Sequence, residues 1–153
     1  MESNQQATAE SVLRIRELAR DQEAVQYAAL LSELEQIQRQ KNKMAVQQLN
    51  FLNRIREMRT GVLSAQSLEL QDQYQLQIAR QIHDLEQKHA GLEQQIQQQR
   101  RAVAEAQQEV ERWKRMVKNR TTAKLLEAQH QQRRQFGQAA ASWAWHRAKT
   151  ADN

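Results

Sequence analysis

The sequence has four histidines, His83, His89, His130 and His146, and one spacing with metal-binding potential, Glu127-x-x-His130. A Glu-x-x-His step puts both side chains on one helical face, as in carboxylate-bridged di-iron bundles. Such a centre needs a second copy of the motif and two more glutamates from neighbouring helices. Here the motif occurs once, among glutamines, so a solvated pair is the reading. Nucleophilic chemistry fares no better. Cysteine is absent, which also excludes a disulfide framework and thiolate metal ligands. The three glycines are isolated, so no loop can cradle a phosphate, and no serine sits in a G-x-S-x-G elbow. Asn119-Arg120-Thr121 spells a glycosylation sequon, which matters only in an exported chain. The expectation is a protein that is not an enzyme, with no catalytic residues, no metal and no cofactor.

The elements that carry these residues follow from composition. Among 153 residues there are no prolines and 28 glutamines, and the mean hydropathy is −0.94. So few turn-formers argue against a many-stranded sheet and for long helices. The first residues, Met1-Glu2-Ser3-Asn4-Gln5-Gln6, lack the basic and apolar regions of a signal peptide. No run of about 18 apolar residues occurs, so no membrane insertion is expected. Together these features predict a cytosolic helical chain. The net charge of +5 permits an acidic partner without identifying one.

Periodicity sharpens the picture. Leu30, Leu34, Ile37, Lys41, Met44, Gln48, Phe51, Ile55, Met58 and Val62 alternate steps of four and three, a heptad seam with polar intrusions at Lys41 and Gln48. Upstream, Val12, Ile15, Leu18, Gln22, Val25 and Ala29 follow a similar spacing, which calls for a phase shift between Val25 and Leu30. A second seam runs through Ile78, Ile82, Leu85, His89, Leu92, Ile96, Gln99, Val103, Ala106, Val110, Trp113 and Val117. It slips, then resumes at Leu125, Ala128, Gln132, Phe136, Ala139 and Trp143. His89 on this seam reads as a tolerated core polar residue or register marker.

The break between the seams is Thr60 to Ser67. Gly61 can close the first helix, with Arg56 and Arg59 in its last turn. Ser64 or Ser67 can cap the second, with Glu69 in its first turn. Helices joined by so short a turn are antiparallel neighbours. The fold class expected is all-α, a long antiparallel two-helix coiled-coil hairpin forming one domain over 1–153. Its helix 1 spans about 5–60, its turn about 60–67 and its helix 2 about 67–147. The alternative is one continuous helix through Gly61, dimerised in parallel.

Charge favours the hairpin. Residues 1 to 38 carry net −4 and residues 112 to 134 net +7, and folding back near residue 65 lays them side by side. It also brings Arg39, Lys41 and Lys43 near Asp84, Glu86 and Glu93. Each arm of about 58 residues would extend roughly 87 Å, and residues past about 125 would overhang the N-terminus. A single apolar stripe barely offsets the ordering cost of roughly 1.5 kcal/mol per residue, so the hairpin is expected to gain order on a partner. Trp143 and Trp145 lie in the overhang, where nothing in the chain covers them, and uncovered tryptophan marks contact sites.

Several stretches resemble the FliJ and YscO type of stalk protein of type III secretion systems, over about Val12 to Ala140. Met58-Arg59-Thr60-Gly61-Val62-Leu63-Ser64 is similar to that family's Gly-containing turn. The spacing Tyr74, Ile78, Ile82 resembles its aromatic-then-aliphatic second-helix start. Trp113-Lys114, then Thr121-Thr122-Ala123-Lys124-Leu125-Leu126-Glu127-Ala128 and Gln131-Gln132-Arg133-Arg134-Gln135-Phe136, resemble its tryptophan-basic, Ala-Leu-Leu-Glu and Gln-basic-basic segments. The chain departs from the family at Phe136-Gly137-Gln138-Ala139-Ala140, where an acidic pair is often found.

The resemblance implies a non-enzymatic central stalk of a flagellar or injectisome export ATPase, cytoplasmic and peripheral to the secretion apparatus at the inner membrane. The helix termini would enter a hexameric secretion ATPase, and the hairpin tip would meet the cytoplasmic domain of the export gate. Export chaperones are a further partner class. Carried over by position, the export-gate contacts are Gln40, Met44, Phe51, Tyr74, Ile78 and Leu85, with Gln47 and Gln81 at other stripe positions. Heptad phase gives Met44, Phe51 and Ile78 a competing role as seam residues. ATPase-contact candidates are Arg133, Arg134 and Phe136, basic side chains beside an apolar anchor in the overhang. The alternative readings are a generic coiled-coil scaffold or chaperone-like adaptor and, behind them, a nucleic-acid-binding coiled coil built on the basic segment from Arg112 to Arg134. In that segment the basic residues alternate with seam residues Trp113 and Val117, and one tryptophan makes no stacking platform, so no nucleic acid is expected.

Overall fold

The computed structural model of the chain describes residues 2 to 58 and 64 to 152. Those residues form two long helices packed against each other, α1 (Glu2–Met58) and α2 (Ala65–Ala151), and no strand. This is the all-α antiparallel hairpin expected from the two seams. Glutamine, alanine, leucine, glutamate and arginine are strong helix formers, and no proline interrupts them. Thr60, Gly61, Val62 and Leu63 of the expected turn, and Arg59 before it, lie outside the described residues. Arg56 occupies the last turn of α1. Ser64 is the cap of α2: its Oγ accepts from the Ser67 N–H at 3.2 Å, and its carbonyl accepts from the Leu68 N–H at 3.2 Å. Glu69 falls beyond the first turn, which holds no acidic residue.

Contacts divide the chain into two units, Ala19–Ala106 and Met1–Leu18 with Gln107–Asn153. In the first, Phe51 packs on Tyr74 with ring centroids 4.5 Å apart at 54°, and Glu23 meets Gln99. As the α1 partner moves back along the chain, the α2 partner moves forward, which is antiparallel packing. Ile55, Ile78 and Leu92 are buried. Leu30, Leu34, Ile37, Lys41, Met44 and Phe51 of α1, and Ile82, Leu85, His89, Ile96, Gln99 and Val103 of α2, are half-buried between the helices. Gln48 and Met58 are exposed.

Toward its N-terminal end α1 differs from expectation. The seam of this unit continues in phase from Leu30 through Tyr27, Glu23 and Arg20, all half-buried, while Val25 is 69% exposed. A phase shift would require the helix to unwind locally, whereas an uninterrupted heptad costs only the burial of polar side chains. That cost is offset at Glu23: Gln99 Nε2 donates to the Glu23 carbonyl at 3.0 Å and to its carboxylate Oε2. A hydrogen bond to a charged acceptor contributes about 1.5–3 kcal/mol.

In the second unit, Ala9 is 2% exposed and Val110 fully buried, with Val12, Leu13, Trp113, Met116 and Val117 half-buried. Ile15 and Leu18, expected on the seam, are 63% and 61% exposed. Two hydrogen bonds fix the pairing. Gln6 Nε2 donates to Thr121 Oγ1 at 2.8 Å, and Arg120 Nη1 donates to the Gln5 carbonyl at 2.8 Å.

Five ion pairs among the described residues run along a helix. They are Arg20–Asp21, Glu35–Arg39, His89–Glu93, Glu109–Arg112 and Glu111–Lys114. Exposed i,i+4 pairs each contribute only about 0.3–0.5 kcal/mol.

Candidate protein-contact sites

Two regions hold the residues singled out by sequence. The first is an open groove between the helices of the Ala19–Ala106 unit. Gln40, Lys43, Met44 and Gln47 line it from α1, and Gln81, Asp84, Leu85 and Lys88 from α2. The two sets have identical spacing about a seam residue, one set about Met44 and the other about Leu85. The half-buried seam side chains form the floor, and amides and opposite charges form the walls. Three of the six expected export-gate contacts, Gln40, Met44 and Leu85, therefore share one groove, together with Gln47 and Gln81.

The aromatic pair lies toward the turn. Tyr74 is 43% exposed and covers one side of half-buried Phe51. Ile78 is only 3% exposed, so it is enclosed in the seam and presents almost no surface to a partner. Of the polar seam residues, Lys41 projects from within the interface, where its aliphatic stem can lie along apolar neighbours. His89 is half-buried and sits 3.5 Å from the Glu93 carboxylate.

The second region is the C-terminal part of α2. From Lys118 to the end of the described chain every residue is exposed. Near its start the N-terminal segment still lies alongside, with Ser3 facing Lys124, Glu127, Ala128 and Gln131 across a shallow recess. Arg133, Arg134 and Phe136 come after that recess, and Phe136 is 77% exposed. Trp143 and Trp145 are 62% and 59% exposed. Their rings carry cations from the next turn: Arg147 lies 4.7 Å from the Trp143 centroid and Lys149 4.7 Å from that of Trp145. Each such contact is worth roughly 0.5–1 kcal/mol at an exposed site.

Glu127 and His130 are both exposed, and among the described residues no three His, Cys, Asp or Glu side chains are grouped to hold a metal ion. No helix among them is long and apolar enough to cross a membrane. Both regions are open surface: a polar groove with an apolar floor, and a basic helix with exposed aromatics. Sequence reasoning missed Arg20, Glu23 and Tyr27 as interface residues. Their signal was the unbroken extension of the Leu30–Ile55 heptad, masked by the apolar residues on the neighbouring face. Comparison with protein families, curated proteins and solved structures finds no match to this chain.

Proposed function

We propose that the chain is a non-enzymatic central stalk of a type III secretion ATPase, flagellar or injectisome, acting in the cytoplasm at the secretion apparatus. The observation that carries this reading is the exposed basic end of α2, where Arg133, Arg134 and Phe136 extend past the recess that holds the N-terminal segment. Basic side chains there meet acidic loops lining a hexameric ring, and Phe136 supplies an apolar anchor. Rim charges set association rate and salt dependence, while a buried anchor sets dissociation. The groove around Met44 and Leu85, with Tyr74 beyond it, is the surface for the cytoplasmic domain of the export gate. Export chaperones are further clients of the same polar surface. The resemblance to stalk proteins in the sequence supports these assignments.

The test is direct. Purified chain is expected to hydrolyse no ATP alone, and adding it to the cognate ATPase to promote hexamer formation and raise turnover. Turnover and oligomeric state unchanged over a wide concentration range would refute the reading.

A further inference from the structure

Exposed large hydrophobic side chains are not spread evenly over the Ala19–Ala106 unit. Outside Val25 and Leu31 they all lie toward the turn: Val46, Leu49, Leu52 and Met58 on α1, and Leu68, Leu70, Tyr74 and Leu76 on α2. Concentrated exposure of this kind marks an interaction surface, whereas scattered single residues do not.

Helical geometry places a subset on one side of the hairpin. The groove flank consists of residues one step before the seam, Lys43 before Met44 and Asp84 before Leu85. In an antiparallel pair, equal rotation from the seam leads to the same side, as the shared groove shows. Residues one step after the seam therefore share the opposite side. On α1 these are Leu49, Leu52 and Arg56, following Gln48, Phe51 and Ile55. On α2 they are Asp72 and Leu76, following Gln71 and Gln75, which are half-buried and carry the α2 seam back from Ile78 in steps of three and four. Leu49, Leu52 and Leu76 are 59%, 36% and 56% exposed. The Phe51–Tyr74 contact sets the register and puts Leu49 at the level of Leu76.

We propose that a second copy of this chain docks on this leucine face, so that α1 of each copy lies against α2 of the other around a two-fold axis parallel to the helices. The charges select this occupant. The face is basic on α1 at Arg56 and acidic on α2 at Asp72, and neither residue takes part in the ion pairs found among the described residues. Two-fold symmetry requires a self-complementary patch. With α1 facing the partner's α2, each Arg56 comes within about a turn of the partner's Asp72, and Leu49 meets the partner's Leu76. With α1 against α1, both charges are left unmatched. A lipid surface fits less well. Arg54, Arg56, Glu57, Glu69 and Asp72 nearly cancel, whereas anionic membranes recruit clusters of basic residues. The groove on the other side stays open in the dimer. This inference does not rest on the stalk reading, since it uses a different face.

The experiment uses the full chain, which has no cysteine of its own. Sedimentation equilibrium is expected to show a reversible monomer–dimer equilibrium, and Leu49→Glu with Leu76→Glu to weaken it at least about tenfold, as loss of a central apolar anchor does. Both positions are already exposed, so far-UV helicity of the dilute variant is expected to be unchanged. In a mixture of Leu49→Cys and Leu76→Cys chains, mild oxidation is expected to give mainly the mixed disulfide. A chain that stays monomeric at all concentrations would overturn the proposal. So would a predominance of the two symmetric disulfides, or binding of monomer to anionic vesicles that the glutamate variant abolishes.

Discussion

Ile78→Ala removes the side chain most completely enclosed between the helices of the Ala19–Ala106 unit, where Ile78 is 3% exposed. Burying an isoleucine side chain contributes about 1.5–3 kcal/mol. In a globular core, a cavity penalty raises large-to-small costs to about 2–5 kcal/mol. A two-helix seam has solvent on both flanks, so the space left by Ile78 opens to water and the cavity penalty shrinks. The loss expected is therefore about 2 kcal/mol, near the transfer value. For a chain of this size that lowers the melting temperature by roughly 4–8 °C. Leu70→Ala is the control: Leu70 is 62% exposed on the same helix, and its truncation is expected to cost under about 0.5 kcal/mol. Thermal and urea unfolding followed by far-UV circular dichroism reads both. Equal destabilisation by the two substitutions, or none by Ile78→Ala, would refute the assignment of Ile78 to the seam.

Phe51→Ala with Tyr74→Ala is expected to weaken binding of an export-gate domain by calorimetry while most helicity is kept, since Tyr74 is 43% exposed and Phe51 is only half-buried; parallel loss of both would make the pair structural. Gly91→Ala is expected to stabilise the chain by about 0.5–1 kcal/mol in urea unfolding, since a Cβ there meets nothing within 4 Å and glycine is a poor helix former.

The reach of the sequence is clearest at the two seams. Every α2 seam position from Ile78 to Val117 is buried or half-buried, because apolar residues recur there with little competition from the other faces. The first part of α1 carries two candidate stripes. Ile15, Leu18 and Val25 form the more apolar one, and single-residue hydropathy selects it. Cooperativity of one continuous helix selects the other, through Arg20, Glu23 and Tyr27, and a hydrogen bond from a residue 76 positions away makes Glu23 acceptable. No local pattern encodes that partner. The groove was legible only in part. Met44, Ile78 and Leu85 could be placed on the seam by heptad phase, but which polar side chains wall the groove depends on how closely the two helices approach. At the far end, exposure of Phe136 and the tryptophans followed from the difference in helix length, which the position of the turn already fixed.

The proposed stalk role depends on the basic end of α2. Steady-state ATP turnover by the cognate hexameric ATPase, titrated with the full chain and with a chain truncated after Gln129, tests it most directly. Removing Arg133, Arg134 and Phe136 is expected to abolish the rise in turnover while leaving the Ala19–Ala106 unit helical. Undiminished stimulation by the truncated chain would contradict the account and move the contact elsewhere.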